Sequence, residues 1–262
     1  MQIPIYQIDA FAARPFAGNP AAVCPLDAWL PDDVLQAIAL ENNLSETAFL
    51  VPLPGGGYHL RWFTPTVEVP LCGHATLASA HLLLNRTDCD HDRIAFETLS
   101  GRLDVWRVGD RLAMELPADP PAPVPGPEGL AAALGQTPRE VHKGRYWLVL
   151  LEDETAVRDL APDIGAIGRL EPGNLIVTAP GREVDFVSRF FAPGAGVLED
   201  PVTGSAHCIL TPFWAERLGR ERLTARQLSA RGGELVCEHR GDRVVLSGVC
   251  AFYMEGRIEL PD

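Results

Sequence analysis

The sequence predicts an α+β protein of two similar domains, each a β-sheet or barrel wrapped around one central helix. Three observations carry that expectation. Six prolines fall within residues 117–127, a stretch that can sit neither in a helix nor in a central strand, and it divides the 262-residue chain into halves of similar length. Glu46-Thr47-Ala48-Phe49-Leu50-Val51-Pro52 followed by Arg61-Trp62-Phe63-Thr64-Pro65 recurs 128 residues later as Asn174-Leu175-Ile176-Val177-Thr178-Ala179-Pro180 followed by Arg189-Phe190-Phe191-Ala192-Pro193. Each half then brings a glycine-led apolar helix, Gly73-His74-Ala75 and Gly204-Ser205-Ala206.

The domains are placed at residues 1–117 and 128–250, with 118–127 as an extended linker and a last strand, about residues 251–262, packing back on the first domain. The opening, Met1–Ile5, lacks the basic start and apolar stretch of a secretion signal and reads as the first strand of a cytoplasmic protein. Residues 31–42 have helical periodicity, with Asp32 and Asp33 in the first turn and Val34, Leu35 and Ile38 on one face. Residues 46–52 and 58–63 form strands joined by Gly55-Gly56-Gly57. Residues 73–84 hold no formally charged side chain, and a helix apolar on nearly every side belongs in the middle of a domain. Residues 204–218 repeat that role, with Pro212 predicting a kink. Further strands are expected at 94–98, 101–108, 111–116, 145–151, 174–179, 234–239, 243–247 and 250–260.

Composition excludes several function classes. The net charge of −13, without a cluster of Lys and Arg, argues against a nucleic-acid partner. No run of 18 uncharged apolar residues is available to span a membrane. Lys143 is the single lysine, so Schiff-base chemistry is disfavoured. The six cysteines form no C-x-x-C pair and read as buried free thiols, Cys72 being weighed separately. There is no H-E-x-x-H, P-loop or G-x-G-x-x-G. Asp88-Cys89-Asp90-His91-Asp92 reads as a polar turn rather than a metal site.

Three places carry residues suited to chemistry. Glu46, at the head of an apolar strand, reads either as a solvated strand-end carboxylate or as a general acid/base in a partly apolar cleft, where burial would raise its pKa. At Leu71-Cys72-Gly73-His74, Gly73 lets backbone approach a ligand and the N–H groups of a helix start attract an anion such as a carboxylate. His74 there either satisfies the helix end or orients a substrate. Cys72 is either a nucleophile or base beside it, or a buried structural thiol. Glu199-Asp200-Pro201-Val202-Thr203-Gly204-Ser205 forms the counterpart helix entrance, with three extra residues before its glycine and acids where the first half has Val69 and Pro70. Asp200 and Ser205 read as helix caps or as partners of Glu46 and His74 in an interdomain cleft.

Phe16-Ala17-Gly18-Asn19-Pro20-Ala21-Ala22-Val23, Asn43–Phe49, Arg61–Pro65, Leu71–Thr76 and Glu199–Ala206 together resemble the phenazine-biosynthesis PhzF-like family, over Ile5 to about Gly256. The resemblance implies the diaminopimelate-epimerase-like fold, with each domain a closed barrel around its helix and the active site between them. It implies a homodimeric isomerase that needs no metal or organic cofactor and acts on a small carboxylate-bearing molecule. Glu46 matches the proton-moving glutamate, and His74, Asp200 and Ser205 match its helpers. Gly73, Gly204, Cys72 and Thr203 are placed in substrate binding. Related epimerases and racemases use two cysteines, one per helix entrance. Thr203 stands where the second would be, which disfavours a two-thiol racemase. An epimerase using Cys72 with a carboxylate, and a non-catalytic metabolite-binding protein, are the alternatives.

Overall fold

A computed structural model of the chain describes residues 1–86 and 91–260. Most of the polar turn read at Asp88–Asp92 lies outside the described residues. The protein is mixed α+β and forms two compact units, one of Met1–Glu115 together with the chain from Ser247 onward, the other of Leu116–Leu246.

The first unit begins with β1 (Gln2–Ala10), β2 (Asn19–Pro25), α1 (Asp32–Asn42), β3 (Glu46–Pro52), β4 (Tyr58–Phe63) and β5 (Glu68–Val69). It continues with α2 (Gly73–Arg86), β6 (Arg93–Thr98), β7 (Gly101–Val108) and β8 (Arg111–Pro117). Strands β2 and β3 run parallel, with Ala21 opposite Glu46, and β3 and β4 run antiparallel, with Thr47 opposite Phe63. Helix α2 is buried from His74 to Ala80 and touches β1, β2, β3, β6 and β7. Helix α1 packs on the other face of β3, where Leu35 and Ile38 meet Phe49. Both faces of β3 are therefore covered, which is why it reads as a continuous apolar run without strict alternation.

The second unit holds β9 (Ala122–Pro123), α3 (Leu130–Leu134), β10 (Glu140–Lys143), β11 (Trp147–Leu150), α4 (Glu154–Arg158), α5 (Ile164–Gly168), β12 (Leu175–Pro180) and β13 (Phe186–Ala192). After these come β14 (Val197–Asp200), α6 (Gly204–Leu218), β15 (Arg222–Gln227), β16 (Gly233–Arg240) and β17 (Arg243–Gly248). The chain then returns to the first unit as β18 (Cys250–Glu259), antiparallel to β1. Leu175, Val177 and Ala179 of β12 face a core with Leu134, Val157 and Ile167 of the short helices. Thr178, of the opposite phase, accepts a hydrogen bond from Trp214 Nε1 of α6 at 3.0 Å.

The units repeat strand by strand. Thr47 pairs with Phe63, and 128 residues later Leu175 pairs with Phe191. Trp62 pairs with Val69 and Phe190 with Asp200. Parallel pairs recur as β2–β3 and β11–β12, and again as β4–β6 and β13–β15. Arg61 grips Glu68 through Nε and Nη2, both at 2.7 Å, while Arg189 grips Glu199 at 2.7 and 3.0 Å.

This register corrects one sequence reading. Glu199 is the counterpart of Glu68, and Asp200 alone is the added acid, opposite Val69 in the repeat. The three extra residues belong to the turn after Ala192, where Pro193–Ala195 forms a 3₁₀ turn, and not to the stretch containing the acids.

The proline-rich segment lies along the second unit. Asp119 N–H donates to Cys208 O at 3.0 Å, Ala122 and Pro123 pair with Lys143 and His142, and Val124 N–H donates to Val141 O. The strand expected at 145–151 is Trp147–Leu150, preceded by a second strand, β10. The five-residue helices α3, α4 and α5 lie below the length at which periodicity shows. Asp153 and Asp163 cap two of them, accepting from Ala156 and Ala166 N–H at 2.9 Å. Among the described residues no helix is long and apolar enough to cross a membrane.

Candidate active site

The first unit gathers its chemistry where β2, β3 and α2 all begin. Asn43, left-handed at φ 48°, ends α1 with its N–H on Ala39 O, and three residues later the chain enters β3 at Glu46. Gly18 turns the chain into β2 at φ 66°. A Cβ there would stand 2.2 Å from Ala10 O, so only glycine brings Asn19 to this place. His74 is the second residue of α2.

Glu46 Oε2 lies 3.2 Å from His74 Nε2. On the opposite edge of the ring, Asn19 Nδ2 lies 3.2 Å and Cys72 Sγ 3.5 Å from Nδ1. His74 is 5% exposed, Asn19 is fully buried and the Glu46 side chain is 18% exposed, so a ligand reaches the carboxylate rather than the imidazole. Burial pushes the His74 pKa down to about 3, and the ring is neutral at physiological pH. A thiolate on Cys72 would need an imidazolium beside it, and the neutral ring does not supply one.

Glu46, Cys72 and His74 have the residue types of a metal site, with donor atoms within 4.8 Å of one another. Their geometry fits an ion poorly. The sulfur stands at Nδ1 and the carboxylate at Nε2, so the donors bracket the ring instead of converging on one lone pair. The arrangement is that of a hydrogen-bonded relay through an imidazole.

The second unit builds its own group at the start of α6. Asp200 accepts from Thr203 Oγ1. Gln227, fully buried on β15, accepts from Thr203 N–H at 2.9 Å through Oε1 and donates through Nε2 to Asp200 O at 2.7 Å. Thr203 thus spends its hydroxyl on Asp200 and not on capping the helix. Ser205 Oγ lies 3.3 Å from Tyr146 OH. His207, fully buried, donates from Nδ1 to Thr203 O at 2.8 Å, and burial pushes its pKa down to about 4.

Of the residues singled out in the sequence, Glu46, Cys72, Gly73 and His74 come together in the first unit, and Asp200, Thr203, Gly204 and Ser205 in the second. Asn19, Gln227, Tyr146 and His207 were not assigned. Gly18-Asn19-Pro20 was a usable signal for the first, as a turn opening a strand. Gln227 offered only its inward phase in an alternating strand. The other described cysteines, Cys24, Cys208, Cys237 and Cys250, are unpaired thiols, and burial raises the pKa of each.

Fold and site describe an α+β protein with an acid–imidazole pair at a buried helix start. The sequence matches the family described as phenazine biosynthesis-like protein over residues 8–256, and the chain belongs to that family. It is 55% identical to an uncharacterized isomerase of Pseudomonas aeruginosa, covering 99% of this chain and 100% of that one. A crystal structure of a PhzF-family phenazine biosynthesis protein from Enterococcus faecalis superposes with a TM-score of 0.96 at 45% identity, covering 99% and 100%. A predicted epimerase of P. aeruginosa, 22% identical, shares the fold with a TM-score of 0.74 over 99% of this chain and 100% of that one. The protein is thus an enzyme of a PhzF-like isomerase family.

Proposed function

We propose that the protein is a cofactor-independent isomerase that moves a proton between carbons of a small carboxylate-bearing metabolite, with Glu46 as the general acid/base. The observation that carries this reading is the Glu46–His74 pair, a partly exposed carboxylate 3.2 Å from a buried neutral imidazole at a helix start. As a carboxylate, Glu46 takes a proton from a substrate C–H, leaving an enolate-like anion. The resulting acid returns that proton to another carbon, so the enzyme ends each cycle unchanged. N–H groups at the Gly73 helix start suit the substrate carboxylate and the developing charge. Asp200 and Ser205 keep the helper roles implied by the family resemblance, and Thr203 and Gly204 the substrate-binding ones. The same reading takes the strands of each unit as a barrel around its central helix.

The test is proton NMR in D₂O with cyclic and amino-acid carboxylates, including trans-2,3-dihydro-3-hydroxyanthranilate, run with wild type and Glu46→Gln. Deuterium incorporation or isomer formation that needs Glu46 is the expected result. Turnover retained by Glu46→Gln on a confirmed substrate would overturn the role of Glu46. Ligand-induced shifts without exchange would favour a binding protein instead. An epimerase built on Cys72 is the second reading, favoured by Sγ lying 3.5 Å from His74 Nδ1. It requires Cys72→Ala to be inactive.

A further inference from the structure

The two nitrogens of His74 meet groups of opposite hydrogen-bonding character. At Nδ1 stand an amide nitrogen, Asn19 Nδ2 at 3.2 Å, and a thiol, Cys72 Sγ at 3.5 Å. The amide NH₂ can only donate, and a thiol is a weak donor. At Nε2 stands Glu46 Oε2, which as a carboxylate oxygen can only accept. A neutral imidazole has one donor and one acceptor nitrogen, and a single arrangement satisfies all of these neighbours: lone pair on Nδ1, proton on Nε2.

We propose that Asn19 is a positioning residue that fixes His74 as the Nε2–H tautomer, so that the ring serves Glu46 as a neutral hydrogen-bond donor and not as a proton-delivering imidazolium. Asn19 is well held for that task. Its backbone pairs with Ala10 in the β1–β2 ladder, Gly18 lets the chain pass against Ala10 O, and the residue is fully buried. The low basicity that burial confers on His74 agrees with a ring that stays neutral. A donor on Nε2 engages one carboxylate oxygen of Glu46 and leaves the other to meet the substrate. It also makes the protonated state of Glu46 temporary, because protonating Oε2 would remove the acceptor that Nε2–H requires.

The assignment deepens the acid/base reading of Glu46, but its test needs no substrate, so the two fail separately. Nitrogen-15 NMR on protein labelled at its seven histidines, with His74 identified by its absence in His74→Gln, reports protonation of each ring nitrogen. Wild type is expected to show an unprotonated Nδ1 and a protonated Nε2 from pH 5 to 8. The double variant Glu46→Gln/Cys72→Ala removes the carboxylate and the thiol but leaves Asn19, and is expected to keep that pattern. Asn19→Asp puts an acceptor at Nδ1 and is expected to place a proton there. Protonated Nδ1 in the wild type, or a switch to Nδ1–H in the double variant, would overturn the proposal. An unchanged pattern in folded Asn19→Asp would do the same.

Discussion

Glu46 Oε2 and His74 Nε2 stand 3.2 Å apart, joining the first residue of strand β3 to the first turn of helix α2. The two come together because β2, β3 and α2 start at one end of the first unit, with Ala21 of β2 paired to Glu46. A carboxylate tied to a rigid strand and to a neutral ring has little freedom to wander. Held this way, a weak base is presented in a fixed direction, and general acid/base catalysis depends on that.

Glu46→Gln should keep the fold and lower proton exchange on the substrate by on the order of 10² to 10⁴-fold, the usual contribution of a positioned acid/base. Circular dichroism on the same sample separates loss of chemistry from loss of structure.

Cys72→Ala should retain turnover within about threefold, because a neutral His74 offers no partner charge to a thiolate. Initial rates on the substrate identified in D₂O decide it. A loss comparable to that of Glu46→Gln would transfer the chemistry to the thiol.

Stability should fall as pH drops from about 6.5 to 5. His74 and His207 have folded pKa values of about 3 and about 4, below the 6.5 of an unperturbed histidine, and burial lowers that of His81 as well. In that window the unfolded chain binds more protons than the folded one, so protonation favours unfolding, and the stabilisation is fully present only above pH 6.5. The slope approaches roughly 1.4 kcal/mol per pH unit for each fully buried histidine. Urea midpoints at pH 7.5, 6 and 5 measure it, and His207→Gln should remove one share.

Gln227→Leu should destabilise by roughly 1–3 kcal/mol, since it leaves buried Thr203 N–H and Asp200 O without their partner. The same change frees the Asp200–Thr203 turn, so turnover should fall beyond what the lost stability explains. Chemical denaturation and rates at 15 °C, where the fold persists, separate the two effects.

Trp214→Ala should cost about 3–5 kcal/mol, as expected for removing a buried aromatic. Its ring stacks on Phe186 at 5.7 Å and 5°, and its Nε1 donates to Thr178 Oγ1. Trp214→Phe should lose less, because Thr178 Oγ1 keeps its own bond to Val187 O at 2.7 Å. Urea denaturation of both variants gives the difference.

Much of the architecture was legible along the chain. The constant spacing of 128 residues named the repeated strands, and the structure pairs Thr47–Phe63 and Leu175–Phe191 in the same register. The apolar stretches at 73–84 and 204–218 announced helices surrounded by sheet. The matching of Glu199 with Glu68 was missed because an insertion shifts alignment silently, and only the paired arginines locate it. Strands β2 and β15 were not read. The prolines and short apolar run of Asn19–Pro25, and the mixed charges of Arg222–Gln227, blur a two-residue period that burial on one or both faces makes plain.

The sequence by itself determined the class of fold, the duplication, the family and the identity of Glu46, Cys72 and His74 as neighbours of a helix start. Those properties are local or periodic, and they survive in a one-dimensional record. Tertiary structure alone decided that Asn19 reaches His74, that the carboxylate and the thiol lie on opposite nitrogens of one ring, and that Gln227 ties Asp200 to Thr203. Hydrogen bonds between groups 24 to 55 residues apart depend on strand register and burial, which no local pattern encodes. Whether a histidine is charged depends on the water it has lost, and only the packed fold removes that water.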